Sequence, residues 1–256
     1  FKERLVLSFD YFRNTTKDQL MSIPLPASTG AENITVNFGE NQNVGYDFSV
    51  AGQVIRSKNW AWTTVINGSH VKDRIKQISD KLKNTAYQLE EDNPLKLRFR
   101  EGGSQYDIYA VRSAGIDPAT GQEIFINKNG EYTFKYDAED EVVVGNTQPK
   151  LQGTWLNTLR YKGWSLNFVF SYTFGGDTYN KTLWEKVEDI DPRYNVDERA
   201  FTDRWKNPGD LSRYLAIKER RSTTPHNSER FVERLNELWL SSATLTYEFQ
   251  PKFLKR

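Results

Sequence analysis

The sequence predicts an all-β, antiparallel fold in which each strand carries one strongly apolar face, and three observations predict it. The first is strict alternation. From Trp164 onward, Trp164, Leu166, Phe168, Phe170, Tyr172 and Phe174 occupy one register, while Ser165, Asn167, Val169, Ser171 and Thr173 occupy the other. Successive side chains of a strand point to opposite sides, so one face is a wall of large apolar groups and the other is small and mostly polar. The second is repetition. Before a Tyr161-Lys162-Gly163 turn, Leu151, Gly153, Trp155, Leu159 and Tyr161 share one register, and Lys150, Gln152, Thr154, Thr158 and Arg160 the other. The third is that connections are sorted by length: 55–59 and 161–163 are short, whereas 14–42 and 175–237 are long.

Two settings produce such hairpins. In a soluble sandwich the apolar face packs on a second sheet; in an outer-membrane barrel it faces lipid and the polar face lines a lumen. The run Trp164 to Phe174 matches the roughly 9–11 residues that cross a bilayer as a tilted strand. Aromatics gather at both of its ends, as at two membrane–water interfaces, with Tyr161 and Trp164 by the turn and Tyr172 and Phe174 opposite. Barrels also have short turns on one side and long outer loops on the other, a sorting that a sandwich does not require. These features favour a transmembrane β-barrel segment in the bacterial outer membrane, in contact with lipid. The alternative is a soluble β-rich carbohydrate-binding module, whose apolar faces would converge on one core.

Composition narrows the classes. Among 256 residues, 35 Lys+Arg balance 34 Asp+Glu, so no electrostatic case for a nucleic-acid partner arises. Aromatics reach 14%, with seven Trp and thirteen Tyr. No run approaches the roughly 18 apolar residues of a membrane helix, which excludes a helical membrane protein but not a barrel. Cysteine is absent, which removes disulfides and thiolate metal sites. The chain opens at Phe1 in mid-pattern and reads as an interior piece of something longer.

Taken in order, Leu5, Leu7, Phe9 and Tyr11 alternate with Val6, Ser8, Asp10 and Phe12 as a first strand. A long loop is expected over 14–42, where Pro24 and Pro26 oppose a central strand. Residues 43–54 alternate cleanly, with Val44, Tyr46, Phe48, Val50 and Val54 on one side. After the turn at 55–59, Trp60, Trp62, Thr64 and Ile66 oppose Ala61, Thr63, Val65 and Asn67. Val71, Ile75, Ile78 and Leu82 then have helical spacing, which predicts a short amphipathic helix inside a long loop over 71–148. Within that loop, 106–112 could be a strand, and two turn signals flank a short strand in G-I-D-P-A-T-G-Q-E-I-F-I-N-K-N-G. The acidic run 139–141 reads as solvated. Residues 175–237 are far too long for an ordinary connection and should be functional or structured, with a short helix over 197–205. The last strand carries Trp239, Ala243, Leu245, Tyr247 and Phe249 and is closed by Pro251. With the short turns on the periplasmic side, strand parity leaves zero or two further crossings between 70 and 150. No segment there has a full apolar register, so zero is expected.

Several stretches together carry a resemblance. They are N-V-G-Y-D at 43–47, P-K-L-Q-G-T-W-L-N-T-L-R-Y-K-G-W-S-L at 149–166, F-S-Y-T-F-G-G at 170–176, D-R-W-K-N-P-G-D at 203–210 and L-T-Y-E-F-Q-P at 245–251. In order and spacing the chain resembles the C-terminal barrel portion of the SusC/RagA family of TonB-dependent outer-membrane transporters, over nearly its whole length. Asp47 departs from the family's usual N-x-G-x-E. The resemblance implies that residues 1–256 are part of the wall of a 22-stranded barrel with extracellular loops, filled by a plug and capped by a SusD-like lipoprotein. It implies import of oligosaccharides, or in some members peptides, with energy delivered by TonB. The family's TonB box, plug and closing strands fall outside the stretch that matches.

No catalytic set, cofactor motif or metal-ligand spacing emerges. His70 and His226 sit in polar contexts and read as solvated loop residues. Asp117, Thr120 and Gly121 read as a plain turn rather than a cation loop. Asp189, Asp191 and Glu198, and the basic Lys218 to Arg221, read as loop surface. Trp205, Pro208, Gly209 and Asp210 form the strongest loop motif, either a structural anchor or a contact to the partner or the sugar; Pro presets one turn position and Gly supplies a positive φ. Trp60, Tyr161, Trp164, Tyr172, Phe174, Trp239 and Tyr247 are expected to be membrane-interface aromatics.

Overall fold

The computed structural model describes residues 4–24, 30, 33–79, 99–190, 193, 195–217 and 227–249. Three long strands come first: β1 (Leu5–Pro24), β2 (Asn33–Arg56) and β3 (Trp60–Ile78). Five short ones follow: β4 (Asp107–Ala110), β5 (Arg112–Ile116), β6 (Glu123–Ile126), β7 (Tyr132–Thr133) and β8 (Val142–Asn146). The chain then returns to long strands, β9 (Leu151–Tyr161), β10 (Trp164–Tyr179) and β11 (Val232–Tyr247). The long strands form one antiparallel sheet in the order β1-β2-β3-β9-β10-β11. β3 pairs directly with β9, and none of the described residues between them adds a strand to this sheet. The short strands build two separate small sheets, β4-β8 and β5-β6-β7.

Residues paired across strands share a face, so register decides what each face presents. The row Leu7–Val50–Ile66–Trp155–Phe170–Leu240 crosses all six strands and is apolar throughout. The neighbouring row on the opposite face, Ser8–Ser49–Asn67–Thr154–Ser171, is polar across five strands. The apolar face is not covered: Leu7 is 66% exposed, Phe9 67% and Leu245 63%. A sandwich would bury these side chains against a second sheet, so the soluble-module alternative lacks the core it requires. The sheet is a β-barrel wall whose outward face is the apolar one.

Close approach of neighbouring strands is built into the outward face where Gly68 pairs with Gly153. The Tyr172 ring covers this spot, and its hydroxyl donates to the Asn67 carbonyl at 2.7 Å. A Cβ on Gly153 would stand 1.9 Å from that same oxygen, so no larger residue fits without separating the strands.

The structure revises several boundaries read from the sequence. The loop expected over 14–42 is mostly strand: β1 runs to Pro24, β2 starts at Asn33, and their register continues to the Pro24–Asn33 pair. Pro24 stands at the end of its strand, where a residue without an N–H is tolerated; Pro26 lies outside the described residues. The helix expected at 71–82 is the continuation of β3. Lys76 is an extra residue between the Ile75 and Gln77 pairings. This bulge changes the spacing of inward apolar residues from two to three, which imitates a helical period; Leu82 lies outside the described residues. At the other end, β10 extends to Tyr179 and β11 begins at Val232, so the 175–237 loop contracts to 180–231.

Buried apolar clusters lie at the loop end of the sheet, not within the wall. Val36, Phe38, Ile75 and Ile78 pack with Phe99, and backbone bonds between Ile75 and Gly102 and Gly103 clamp the 99–105 segment there. A second cluster, Leu183, Val187, Ile190, Ala200, Tyr214 and Phe231, lies within the 180–231 connection. That connection is therefore a small packed body with its own core, as its length required. Its helical parts are short, Lys181–Leu183 running into Trp184–Glu188 and a single turn at Arg199–Thr202.

Candidate functional site: the polar face and the loop body

The polar face is tied together by side chains. Ser49 Oγ donates to Asn67 Oδ1 at 2.7 Å, Asn67 Nδ2 donates to Thr154 Oγ1 at 3.2 Å, and Thr158 Oγ1 donates to Asn167 Oδ1 at 2.8 Å. A shallow depression of about 320 Å³ is lined there by Ser8, Asp10, Asp47, Ser49, Ser69 and Gln152, among others. Hydroxyls, amides and carboxylates in such rows suit a hydrophilic cargo and supply no nucleophile–base pair.

The loop body is organised around two arginines, Arg204, which is buried, and Arg230, whose side chain is 12% exposed. Arg230 reaches Glu123 Oε2 at 2.9 Å and Glu188 Oε1 at 2.7 Å through Nη2, and the Arg213 carbonyl at 2.7 Å through Nη1. Its Nε lies 2.9 Å from Glu123 Oε1 but off the N–H direction, so that contact is coulombic rather than a hydrogen bond. Glu123 is 1% and Glu188 4% exposed. Burial pulls the Arg230 pKa down, but the two carboxylates more than offset it and hold the group above its ordinary value. The buried Arg204 donates to four carbonyls, those of Ala200 (2.9 Å), Leu215 (3.0 Å), Glu188 (2.7 Å) and Val187. Desolvation lowers its pKa.

The D-R-W-K-N-P-G-D motif continues from Arg204. The buried Trp205 donates from Nε1 to the Pro118 carbonyl at 2.8 Å, and Gly209 N–H donates to the same oxygen at 2.8 Å. Ala216 N–H closes the contact on the Gly121 carbonyl at 3.0 Å. The motif thus latches the loop body onto the 117–121 turn, in which Asp117 accepts from Thr120 Oγ1 at 2.6 Å. Asp210 caps its own turn, taking the N–H groups of Asn207 (2.8 Å) and Lys206 (3.0 Å). These bonds, Asn207 first, hold its carboxyl below the usual range. Pro208 and Gly209 are exposed. Gly121 has φ +76°, and a Cβ there would stand 2.5 Å from Trp205 Cδ2. Gly121→Ala is therefore expected to push Trp205 out of its seat at a cost of about 1–3 kcal/mol. Raised Trp fluorescence quenching by acrylamide in the loops would register this, and unchanged quenching would contradict it.

The expected interface aromatics fall mainly into two bands. Trp60, Tyr161, Trp164 and Tyr247 make one cross-strand row beside the short turns, with ring centroids 4.3 Å apart for Trp60–Tyr161 and 4.6 Å for Trp164–Tyr247. Tyr172 and Phe174 stack at 5.5 Å toward the other end. Trp239 is the exception. Ser241 is bulged between the Val169–Ser242 and Phe170–Leu240 pairings, which moves Trp239 opposite Ser171 on the polar face. Leu238 and Leu240 take the outward positions instead.

His70 is on β3, not in a loop, with Nδ1 2.6 Å from the Lys150 carbonyl. Glu141 is not solvated: it is buried and accepts from Tyr136 Oη at 3.1 Å and Asn227 Nδ2 at 3.2 Å. His226, Asp191, Tyr194, Lys218 to Arg221 and Pro251 lie outside the described residues. Asp189 and Glu198 remain separate loop residues, and no metal-holding cluster occurs among the described residues. Arg204, Arg230, Glu123 and Glu188 escaped the sequence reading; the only local signal was the position of Arg204 beside Trp205 in the motif.

A comparison with protein-family models finds no match. The chain is 26% identical over 297 residues to TonB-dependent receptor P39 of Formosa agariphila, covering 100% of this chain and 28% of that protein. It is 30% identical over 206 residues to TonB-dependent receptor P3 of the same organism, covering 72% of this chain and 20% of that protein. Among solved structures it superposes on the RagAB peptide transporter with TM-score 0.81 and 21% identity, covering 100% of this chain and 28% of that one. The RagAB peptide importer in its open-open state gives TM-score 0.76 and 21% identity, with 99% of this chain and 27% of that one covered. The chain thus spans under a third of the length of the relatives it matches. Its sequence matches part of TonB-dependent receptors and its fold is that of the RagAB chains, so the chain is a fragment of a SusC/RagA-like TonB-dependent transporter.

Proposed function

We propose that the protein containing this chain imports nutrients across the bacterial outer membrane as a TonB-dependent transporter, and is not an enzyme. The observation that carries this is the contrast between two adjacent rows, one apolar across all six strands on the outward face and one hydroxyl- and amide-rich across five strands on the inward face. The receptor names of the relatives and the importer named in the superposed structures support it. The cargo is an oligosaccharide or a peptide, which the inward row can hydrogen-bond without catalysis. A SusD-like surface lipoprotein caps the outer side, where the loop body offers Pro208, Gly209 and the 91% exposed Leu211 as contact points, and TonB delivers energy through the family's plug.

The test is uptake. Cells lacking the gene are screened on oligosaccharides and peptides to find the nutrient whose use is lost. The gene is then restored with residues 189–210 deleted. Heat-modifiable gel mobility is expected to show an assembled barrel, while uptake is abolished. Normal uptake by the deletion strain would reject the role of the loop body, and no nutrient phenotype in the null strain would reject import itself.

A further inference from the structure

Above the aromatic band, the outward face of β1–β3 changes abruptly in chemistry. Tyr11, Tyr46 and His70 form one cross-strand row, with Tyr46 and His70 rings 5.2 Å apart. One step further from the short turns, the row is Arg13–Val44–Lys72, and the next is Thr15–Gln42–Arg74. Arg13, Lys72 and Arg74 are all exposed. No position in either row is acidic, and none of the three cations is ion-paired among the described residues. The nearest carboxylate along β2, Glu40, is paired with Lys17 at 3.8 Å. Asp73, between Lys72 and Arg74, points to the opposite face and accepts from Gln105 N at 2.9 Å and from Ser104 Oγ. Beside Lys72 and Arg74 opens a cleft of about 700 Å³, edged by His70, Gly102 and Lys150 and also by Asp73, Asp107 and Asp177.

We infer that this outward cationic shelf holds the phosphate-bearing headgroup of a lipid in the outer leaflet. The inference rests on the reading of the apolar face as lipid-facing. An aromatic row marks the depth at which acyl chains give way to headgroups, and the three cations stand at the next levels outward, roughly 7 and 13 Å along the strand. Cations held there by a sheet are preorganised: the strand is already ordered, and only side-chain freedom is lost on binding. Arg74 offers a planar two-pronged donor that suits phosphate, Lys72 a point charge, and Arg13 a guanidinium whose Nε and Nη2 also reach the Gln42 amide oxygen at 2.9 and 3.2 Å. Of the carboxylates along the cleft, Asp73 is turned to the opposite face, Asp107 is taken up by Ser104 N–H and Asn146 Nδ2 at 2.9 Å each, and Asp177 lies 4.0 Å from Arg234. A soluble phosphate would have no reason to bind beside a band of exposed Tyr and Phe.

The experiment uses the detergent-purified transporter and native mass spectrometry with three probes: bisphosphorylated lipid A, the same lipid dephosphorylated, and inorganic phosphate. Each basic residue at an anionic membrane surface contributes roughly a factor of five, reduced by salt. The combined variant Arg13→Gln, Lys72→Gln, Arg74→Gln is therefore expected to retain bisphosphorylated lipid A at least about tenfold less well than the parent. Dephosphorylated lipid is expected to bind both proteins weakly and alike, and millimolar phosphate to displace nothing. Equal retention by parent and variant, or equal retention of both lipids by the parent, overturns the inference. Displacement by inorganic phosphate overturns the lipid as its source. Gel mobility confirms that the variant is folded, and Lys72→Arg is expected to retain lipid like the parent. A protein that is monodisperse without detergent would instead mark failure of the barrel reading.

Discussion

Arg230→Met is expected to dismantle the loop body while leaving the barrel wall assembled. Arg230 joins three segments distant in sequence: Glu123 on β6, Glu188 at the end of the Trp184–Glu188 turn, and the entry to β11. Both glutamates are almost fully buried. Met replaces much of the volume but none of the charge, so two carboxylates remain together in a site closed to water. Breaking a buried pair in this way costs about 3–5 kcal/mol, more than the pair is worth intact, because the orphaned charge bears its full desolvation penalty. Limited proteolysis should cut within 180–231 in the variant and spare the parent, with heat-modifiable mobility unchanged in both. Adding Glu123→Gln and Glu188→Gln to Arg230→Met is expected to restore much of the protection, since the unpaired charges are then gone. If Arg230→Met alone resists protease like the parent, the network does not hold the loop body.

Phe168→Lys is expected to destabilise the barrel by about 2–4 kcal/mol if that position lies near the bilayer midplane. Phe168 pairs with Asn157 on β9 and Ala243 on β11, between the aromatic bands at Trp164 and Tyr172. Its outward register leaves a lysine at that height with lipid rather than water around its ammonium. Asn167→Lys is the matched control, because Asn167 is on the inward face, where its Oδ1 accepts from Thr158; it is expected to change stability far less. Urea titration of the transporter refolded into lipid vesicles reads both. Equal costs for the two substitutions would reverse or erase the assignment of faces.

The wall was legible because its physics is periodic. Wherever a strand crosses the apolar zone, one register must be apolar and the other polar, and residues 43–54, 60–70, 150–161 and 164–174 state this openly. Beyond that zone neither face needs to be apolar. The upper halves of β1 and β2, from Asn14 to Pro24 and Asn33 to Gln42, therefore read as loop although they are strand. Bulges defeated the rest. One extra residue at Lys76 imitated a helix, and one at Ser241 sent Trp239 to the wrong face, because a single insertion inverts every later side chain.

By itself the sequence determined the two-faced wall, its antiparallel hairpins, the aromatic row by the short turns and that the long 175–237 connection should be functional or structured. Only the tertiary structure decided how that body is held. Glu123, Glu188 and Arg230 are single charged residues in unrelated polar stretches, and nothing local distinguishes them from solvated ones. They become a buried network only when the turn at 117–121, latched by Trp205, brings β6 against the entry to β11. Alternation is a property of neighbours in the chain, so it can be read from the chain. Charge burial is a property of neighbours in space, and folding creates those.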